Sequence, residues 1–97
     1  MKIIIDNPRK TLNWEDIDFF DYNDVLRVLY VATKKGQVIP VKFESIELGR
    51  LMSTMLYSFD IDKESRKNTP VFPIISKTKD KTKVMEFYNK LNLKEVF

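Results

Sequence analysis

The sequence predicts an α+β domain: a small mixed or antiparallel sheet of three to four strands, with two helices (about 47–59 and 80–92) packed on one face. Three observations predict it. Residues 25–43, VLRVLYVATKKGQVIPVKF, read as two strands joined by a Lys-Lys-Gly turn. Directly after them, Leu48, Leu51, Met52, Met55, Leu56 and Phe59 recur at helical spacing. A second stripe, Val84, Phe87, Tyr88 and Leu91, repeats that spacing near the end of the chain. With 97 residues, 43% of them apolar, the chain has material for one domain over 1–97. At that size it buries roughly 60–70% of the surface its unfolded form exposes, so neither staples nor metals are needed to explain folding.

The elements follow in order. Lys2–Ile5 forms a short strand, because three consecutive isoleucines suit a buried pleated position, and Asn7-Pro8 ends it. Residues 12–24, LNWEDIDFFDYND, carry two patterns. Asn13 is placed to cap a short helical turn at Trp14, with Glu15 and Asp16 at its positive end. Ile17/Phe19 and Phe20/Tyr22 also alternate, as a strand broken by a bulge does. A helical turn followed by an irregular lead into Val25 reconciles the two.

Val25–Thr33 is apolar on both faces, which suits a central strand. Thr33-Lys34-Lys35-Gly36 then gives a type I turn whose Gly36 takes the left-handed conformation of a G1 bulge. Pro40, inside the alternating run 38–44, marks a strand with one unpaired side. The competing pattern is a helix from Asp24 with Val25, Val28, Leu29 and Ala32 inward and Gly36 at its end. In the 47–59 helix, Ser45 is the cap, and Glu47, Arg50, Ser53, Thr54 and Ser58 take the polar face. Gly49 in its interior costs about 1 kcal/mol relative to Ala, a sign of close approach to the sheet. Residues 60–69, DIDKESRKNT, read as a long exposed loop. Val71–Ser76 is a strand that Pro70 and Pro73 push to a sheet edge. The last helix is capped by Asp80 or Thr78, and Leu93, Val96 and Phe97 leave an apolar end.

Composition restricts the chemistry. There is no cysteine and no histidine, which removes disulfides, thiolate nucleophiles, cysteine-held metals and the commonest general base. Two glycines, Gly36 and Gly49, cannot build a phosphate-cradling loop, and no serine triad is possible without histidine. Asp16 and Glu44 stand as the candidate carboxylate pair for acid–base work. Asp60, Asp62 and Glu64 have the spacing that opens a calcium loop, but Ser65 stands where that loop needs glycine. The expectation is a protein that is not an enzyme and takes no cofactor or metal. The apolar run Ile3-Ile4-Ile5 is too short for a signal peptide or a membrane span, so a cytoplasmic protein with no membrane partner is expected.

Charge is uneven along the chain. Residues 1–24 hold three basic and six acidic side chains, net −3, whereas the remainder holds fourteen basic and eight acidic, net +6. The acidic stretch is interleaved with rings: Trp14, Glu15, Asp16, Asp18, Phe19, Phe20, Asp21, Tyr22 and Asp24. Aromatics anchor interfaces and carboxylates steer a basic partner, so Trp14, Glu15, Asp16, Asp18, Phe19, Asp21 and Tyr22 are the candidate protein-binding residues. The simpler reading puts the rings in the core and the carboxylates in water.

The opposing candidate is basic. Lys63, Arg66, Lys67, Lys77, Lys79, Lys81 and Lys83, joined by Arg27, Lys34, Lys35 and Lys42 from the hairpin, would form a phosphate-binding surface. Tyr30, Tyr57 and Phe72 are its candidate stacking groups. The composition, rich in Lys, Ile, Asn, Asp, Phe and Tyr, is that of A/T-rich bacterial, phage or plasmid genes. These readings lead to a small non-catalytic binding protein, an inhibitor or regulator of a nucleic-acid-handling protein that acts by occupying a surface. The alternative is direct nucleic-acid binding. The apolar end at Leu93, Val96 and Phe97 is the candidate contact for a homo-oligomer.

Overall fold

The computed structural model describes residues 1–78 and 81–90, with the backbone alone for 81 and 87–90. The chain runs β1 (Lys2–Ile5), β2 (Lys10–Asn13), a 3-10 turn (Trp14–Asp16), β3 (Ile17–Asn23), β4 (Val28–Thr33), β5 (Val38–Lys42), α1 (Ile46–Ile61), α2 (Lys63–Asn68), β6 (Val71–Ile74) and α3 (Lys81–Lys90). The α+β class holds. The strands, however, divide between two three-stranded sheets: a mixed one ordered β2-β1-β6 and an antiparallel one ordered β3-β4-β5.

In the first sheet β1 is central, antiparallel to β2 and parallel to β6. Alternation points Ile3 and Ile5 into the core while Ile4 faces out. In the second, β4 is central and β5 is the edge that Pro40 marks. The hairpin closes as its residues predict: the Gly36 amide donates to the Thr33 carbonyl at 2.9 Å, and Gly36 has φ +85°. No helix forms from Asp24. The strand nevertheless begins at Val28 rather than Val25, because the Asn23 side chain accepts the Leu26 amide at 3.0 Å and folds 24–27 into a turn. Arg27 leaves that turn at φ 57°, held there by its guanidinium on the Glu44 carbonyl (3.0 Å) and by the Phe43 amide on its own carbonyl (2.8 Å).

Residues 17–23 form a full strand, with the bulge between Ile17 and Phe19, rather than an irregular lead. The 60–69 segment also departs from expectation. Asp62 accepts the amides of Glu64 and Ser65 and caps the short helix α2, where a loop is expected. That helix has no apolar stripe, so periodicity does not reveal it. Ser58 is buried, its hydroxyl donating to the Thr54 carbonyl at 3.0 Å, so it leaves the polar face assigned to it. The expected 80–92 helix appears as Lys81–Lys90; Asp80 and the apolar end at Leu93, Val96 and Phe97 lie outside the described residues.

One apolar cluster joins both sheets to α1: Ile3, Ile5, Phe72 and Ile74 from the first, Leu29, Val31, Ile39 and Val41 from the second, and Leu48, Met52, Met55, Leu56 and Phe59 from the helix. Val84 of α3 enters the same cluster. A polar seam ties the sheet ends. The Asp6 carboxylate accepts the Ser76 amide (2.9 Å) and hydroxyl (2.6 Å), and the Ser76 carbonyl accepts the Glu44 amide at 3.0 Å.

Ser45 caps α1 by accepting the Leu48 amide at 3.2 Å. Gly49 marks a close approach: a Cβ there would lie 2.1 Å from the Tyr22 hydroxyl oxygen and 2.5 Å from its ring. Alanine is the better helix former by about 1 kcal/mol, but displacing the Tyr22 ring, packed edge-on to Phe43, costs about 1–3 kcal/mol. Gly49→Ala is therefore expected to lower stability. In a Tyr22→Ala background the same change should raise stability by up to about 1 kcal/mol. Urea unfolding of the four proteins reads both signs.

Candidate functional site

The bulge sets up the site. It lets Ile17 stay inside while Phe20 and Tyr22 come opposite Val31 and Leu29 of β4, so both rings turn toward α1. Phe19 sits beside them, 55% exposed. Further along α1 than the Tyr22–Gly49 contact, a groove of about 480 Å³ opens between β3 and the helix. Phe19, Phe20 and Tyr22 form its β3 wall and Leu29 lies at its base. Leu56 and Tyr57 form the helix wall, with Ser53, Thr54 and Asp60 supplying polar atoms. Tyr57 is 58% exposed. Asp18 and Asp21, on the same strand as the rings, are exposed.

One end of this wall is held electrostatically. Arg50 on α1 makes a two-pronged bond to Asp24, Nε to Oδ1 at 2.9 Å and Nη2 to Oδ2 at 2.5 Å. That hydrogen bond, above all, holds the Asp24 carboxyl below its ordinary value and raises the Arg50 guanidinium above its own. Burial, followed by the Asp24 charge, pushes the Tyr22 phenol above its ordinary value. Each shift moves its group further into the form it already has at neutral pH. None of the three is thereby poised to exchange a proton near pH 7. The groove offers rings, hydroxyls and the Asp60 carboxylate for contact.

The acidic–aromatic segment lines two openings, joined where the Trp14 ring packs on Phe20 with centroids 5.6 Å apart. Phe19 and Tyr22 line the groove, whereas Trp14 and Glu15 line a smaller cleft of about 190 Å³ with Met1, Lys63, Arg66 and Lys67. There the Arg66 guanidinium lies 5.1 Å over the Trp14 ring and donates to the carbonyls of Phe59 and Asp60, the latter at 2.8 Å. The acidic and basic segments therefore meet at this cleft instead of forming two opposed faces. The Asp16 carboxylate faces the Asn13 amide at 3.5 Å.

The basic candidates are distributed. Lys34 and Lys35 are exposed at the hairpin tip, but Lys42 pairs with Val28 at the far end, about 20 Å away along the strands. Arg27 and Arg66 have guanidinium groups engaged on carbonyls of the chain itself. Lys63, Lys67, Lys77 and Lys83 are exposed; Lys79 and the side chain of Lys81 lie outside the described residues. Of the stacking candidates, Tyr30 is half-buried, Tyr57 is exposed in the groove, and Phe72 is fully buried against Phe59, so it cannot stack on a base.

Asp16 and Glu44 are also separated. The Asp16 carbonyl accepts the Lys34 amide near the hairpin tip, whereas Glu44 lies beyond the far end of β5, so about 17 Å or more of sheet stands between them. They make no catalytic pair. Asp62, whose spacing from Asp60 and Glu64 is that of a calcium loop's opening, acts as a helix cap, and no cluster of three or more acidic, His or Cys side chains suited to a metal ion occurs among the described residues.

The helix wall escapes sequence reasoning, which assigns Ser53 and Thr54 to a solvent face and Leu56 to the core. The available signal is Tyr57, a large ring set off the apolar stripe beside two hydroxyls. No protein-family model, curated protein or solved structure matches the chain. The groove is therefore read from its own geometry.

The Asp24–Arg50 pair has a pH signature. Because the folded carboxyl lies below its ordinary value of 3.8, its contribution to stability is present above that value and is lost as pH falls through the lower folded one. The stability difference between wild type and Asp24→Asn is expected to be widest near pH 7 and to close in strong acid, as read by urea unfolding across that range.

Proposed function

We propose that this protein is a small non-catalytic binding protein that occupies a basic, partly apolar surface of another protein through the β3–α1 groove. The observation that carries this reading is the groove itself: exposed Phe19 and Tyr57 flank it, with Asp18, Asp21 and Asp60 beside them. Rings on a rigid strand and helix give contact area at low entropic cost, and carboxylates around them favour a positively charged partner. Proteins that handle nucleic acid present such surfaces to phosphates. Inhibition or regulation of one of them, by covering its phosphate-binding surface, is the role that fits this chemistry. Action in the cytoplasm belongs to the same proposal.

A second reading, direct binding of nucleic acid, draws on the exposed lysines 34, 35, 42, 67, 77 and 83. It has less support, because the two arginines that would add planar, two-pronged phosphate contacts, Arg27 and Arg66, are engaged within the fold.

The test is affinity capture from host lysate with and without nuclease, using wild type and two variants, Phe19→Ala/Tyr57→Ala and Asp18→Lys/Asp21→Lys. A protein partner survives nuclease treatment and is retained about tenfold less by both variants, each of which keeps the wild-type amide spectrum. Undiminished capture by the folded variants rejects the groove. Tight binding of DNA or RNA probes at about 50 mM salt, steeply weakened by added salt, would favour the second reading.

A further inference from the structure

A sheet edge is a row of unpaired N–H and C=O groups, and proteins blunt it with proline, charged side chains (lysine above all), bulges or shortness. Three of the four edge strands here are blunted by proline, lysine or shortness. β6 contains Pro73 and follows Pro70, β5 contains Pro40 and ends at Lys42, and β2 is four residues long and begins at Lys10. The fourth, β3, has seven residues, IDFFDYN, with no proline, glycine or lysine; its bulge lies at its start, between Ile17 and Phe19, and leaves 19–23 in regular register with β4. Among the described residues, 18–23 make no backbone hydrogen bond outside the ladder to β4. The groove lies along this same strand.

The charges on β3 disfavour pairing with its own kind. In the antiparallel register that matches Phe19 of one copy with Phe20 of another, Asp18 faces Asp21, and like charges directly opposite destabilise a pair. A strand carrying Lys or Arg would meet attraction in those places.

We propose that the partner's contact is an extended segment alternating basic and apolar residues, added to the free edge of β3 as a fourth strand of the β3-β4-β5 sheet. Its apolar side chains enter the groove over Phe20, Tyr22 and Tyr57, and its basic ones face Asp18 and Asp21. Main-chain pairing supplies affinity and the alternate pockets supply selectivity, as in other recognition by strand addition. This inference rests on the groove being the binding site and adds the mode of binding and the chemistry of the segment.

The experiment titrates the isotope-labelled full chain with a capped heptapeptide alternating Lys and Val, and with two versions N-methylated along one or the other peptide edge. Strand addition predicts exchange of outward amides in 18–23 slowed by about tenfold or more at saturation. It also predicts shifts at Phe19 and Tyr57, and loss of binding when one particular peptide edge is methylated but not the other. Asp18→Lys/Asp21→Lys, checked for folding by its amide spectrum, should weaken the parent peptide by about tenfold or more. If both methylated peptides bind at the groove as tightly as the parent, strand addition is overturned while the groove reading stands. If no peptide perturbs the groove at millimolar concentration, both are overturned.

Discussion

One long helix, α1, lies against both sheets, and most of the architecture follows from that constraint. α1 is the long element that both sheets share, and Val84 of the shorter α3 joins the same cluster. The stripe Leu48, Met52, Met55, Leu56 and Phe59 is therefore shared: Phe59 meets Phe72 edge-on at 5.2 Å on the mixed sheet, while Leu48 and its neighbours join Leu29, Val31 and Val41 of the antiparallel one. The helix comes closest to β3 where Tyr22 lies on Gly49. Toward its other end, Phe19 and Phe20 stand opposite Leu56 and Tyr57 across open space. The groove is the gap left by a helix pinned at one point and shared between two surfaces.

Electrostatics inside the fold determine which charges stay available. Asp24 is paired with Arg50, Asp6 is bonded to Ser76, Asp62 caps α2, and Arg66 is held between Trp14 and the last carbonyls of α1. These contacts engage Asp24 of the acidic stretch and Arg66 of the basic one within the fold. Asp18 and Asp21 stay exposed on β3, and Asp60 lines the groove. The acidic charge left exposed beside the β3–α1 groove is thus a small subset of the charge in the sequence.

Legibility followed locality. The Ser45 cap, the α1 stripe, the Gly36 turn, the edge marked by Pro40 and the close approach at Gly49 were all readable, because each depends on residues within one or two turns of one another. The pairing of β1 with β6 was not, since it joins residues 2–5 to 71–74 and no local pattern encodes that register. β2, with sequence KTLN, has too few apolar residues to alternate visibly. α2, with sequence KESRKN, is held by Asp62 at its start and by Arg66 beneath it, not by an apolar face. Of the site, Phe19 and Tyr22 were named as partner contacts and Tyr57 as a stacking group; the rest of the helix wall was not, because a stripe shows which face is buried but not where burial stops.

By itself, the sequence determined the α+β class, the hairpin, the main helix and the absence of the histidine and cysteine chemistries, since propensity, capping and residue identity are local properties. Only the tertiary structure decided that the strands form two sheets, that Trp14 sits between Arg66 and Phe20, and that β3 runs along a groove as an edge strand free of proline. Those outcomes depend on which distant segments fill the same volume, and close packing around one shared helix settles that.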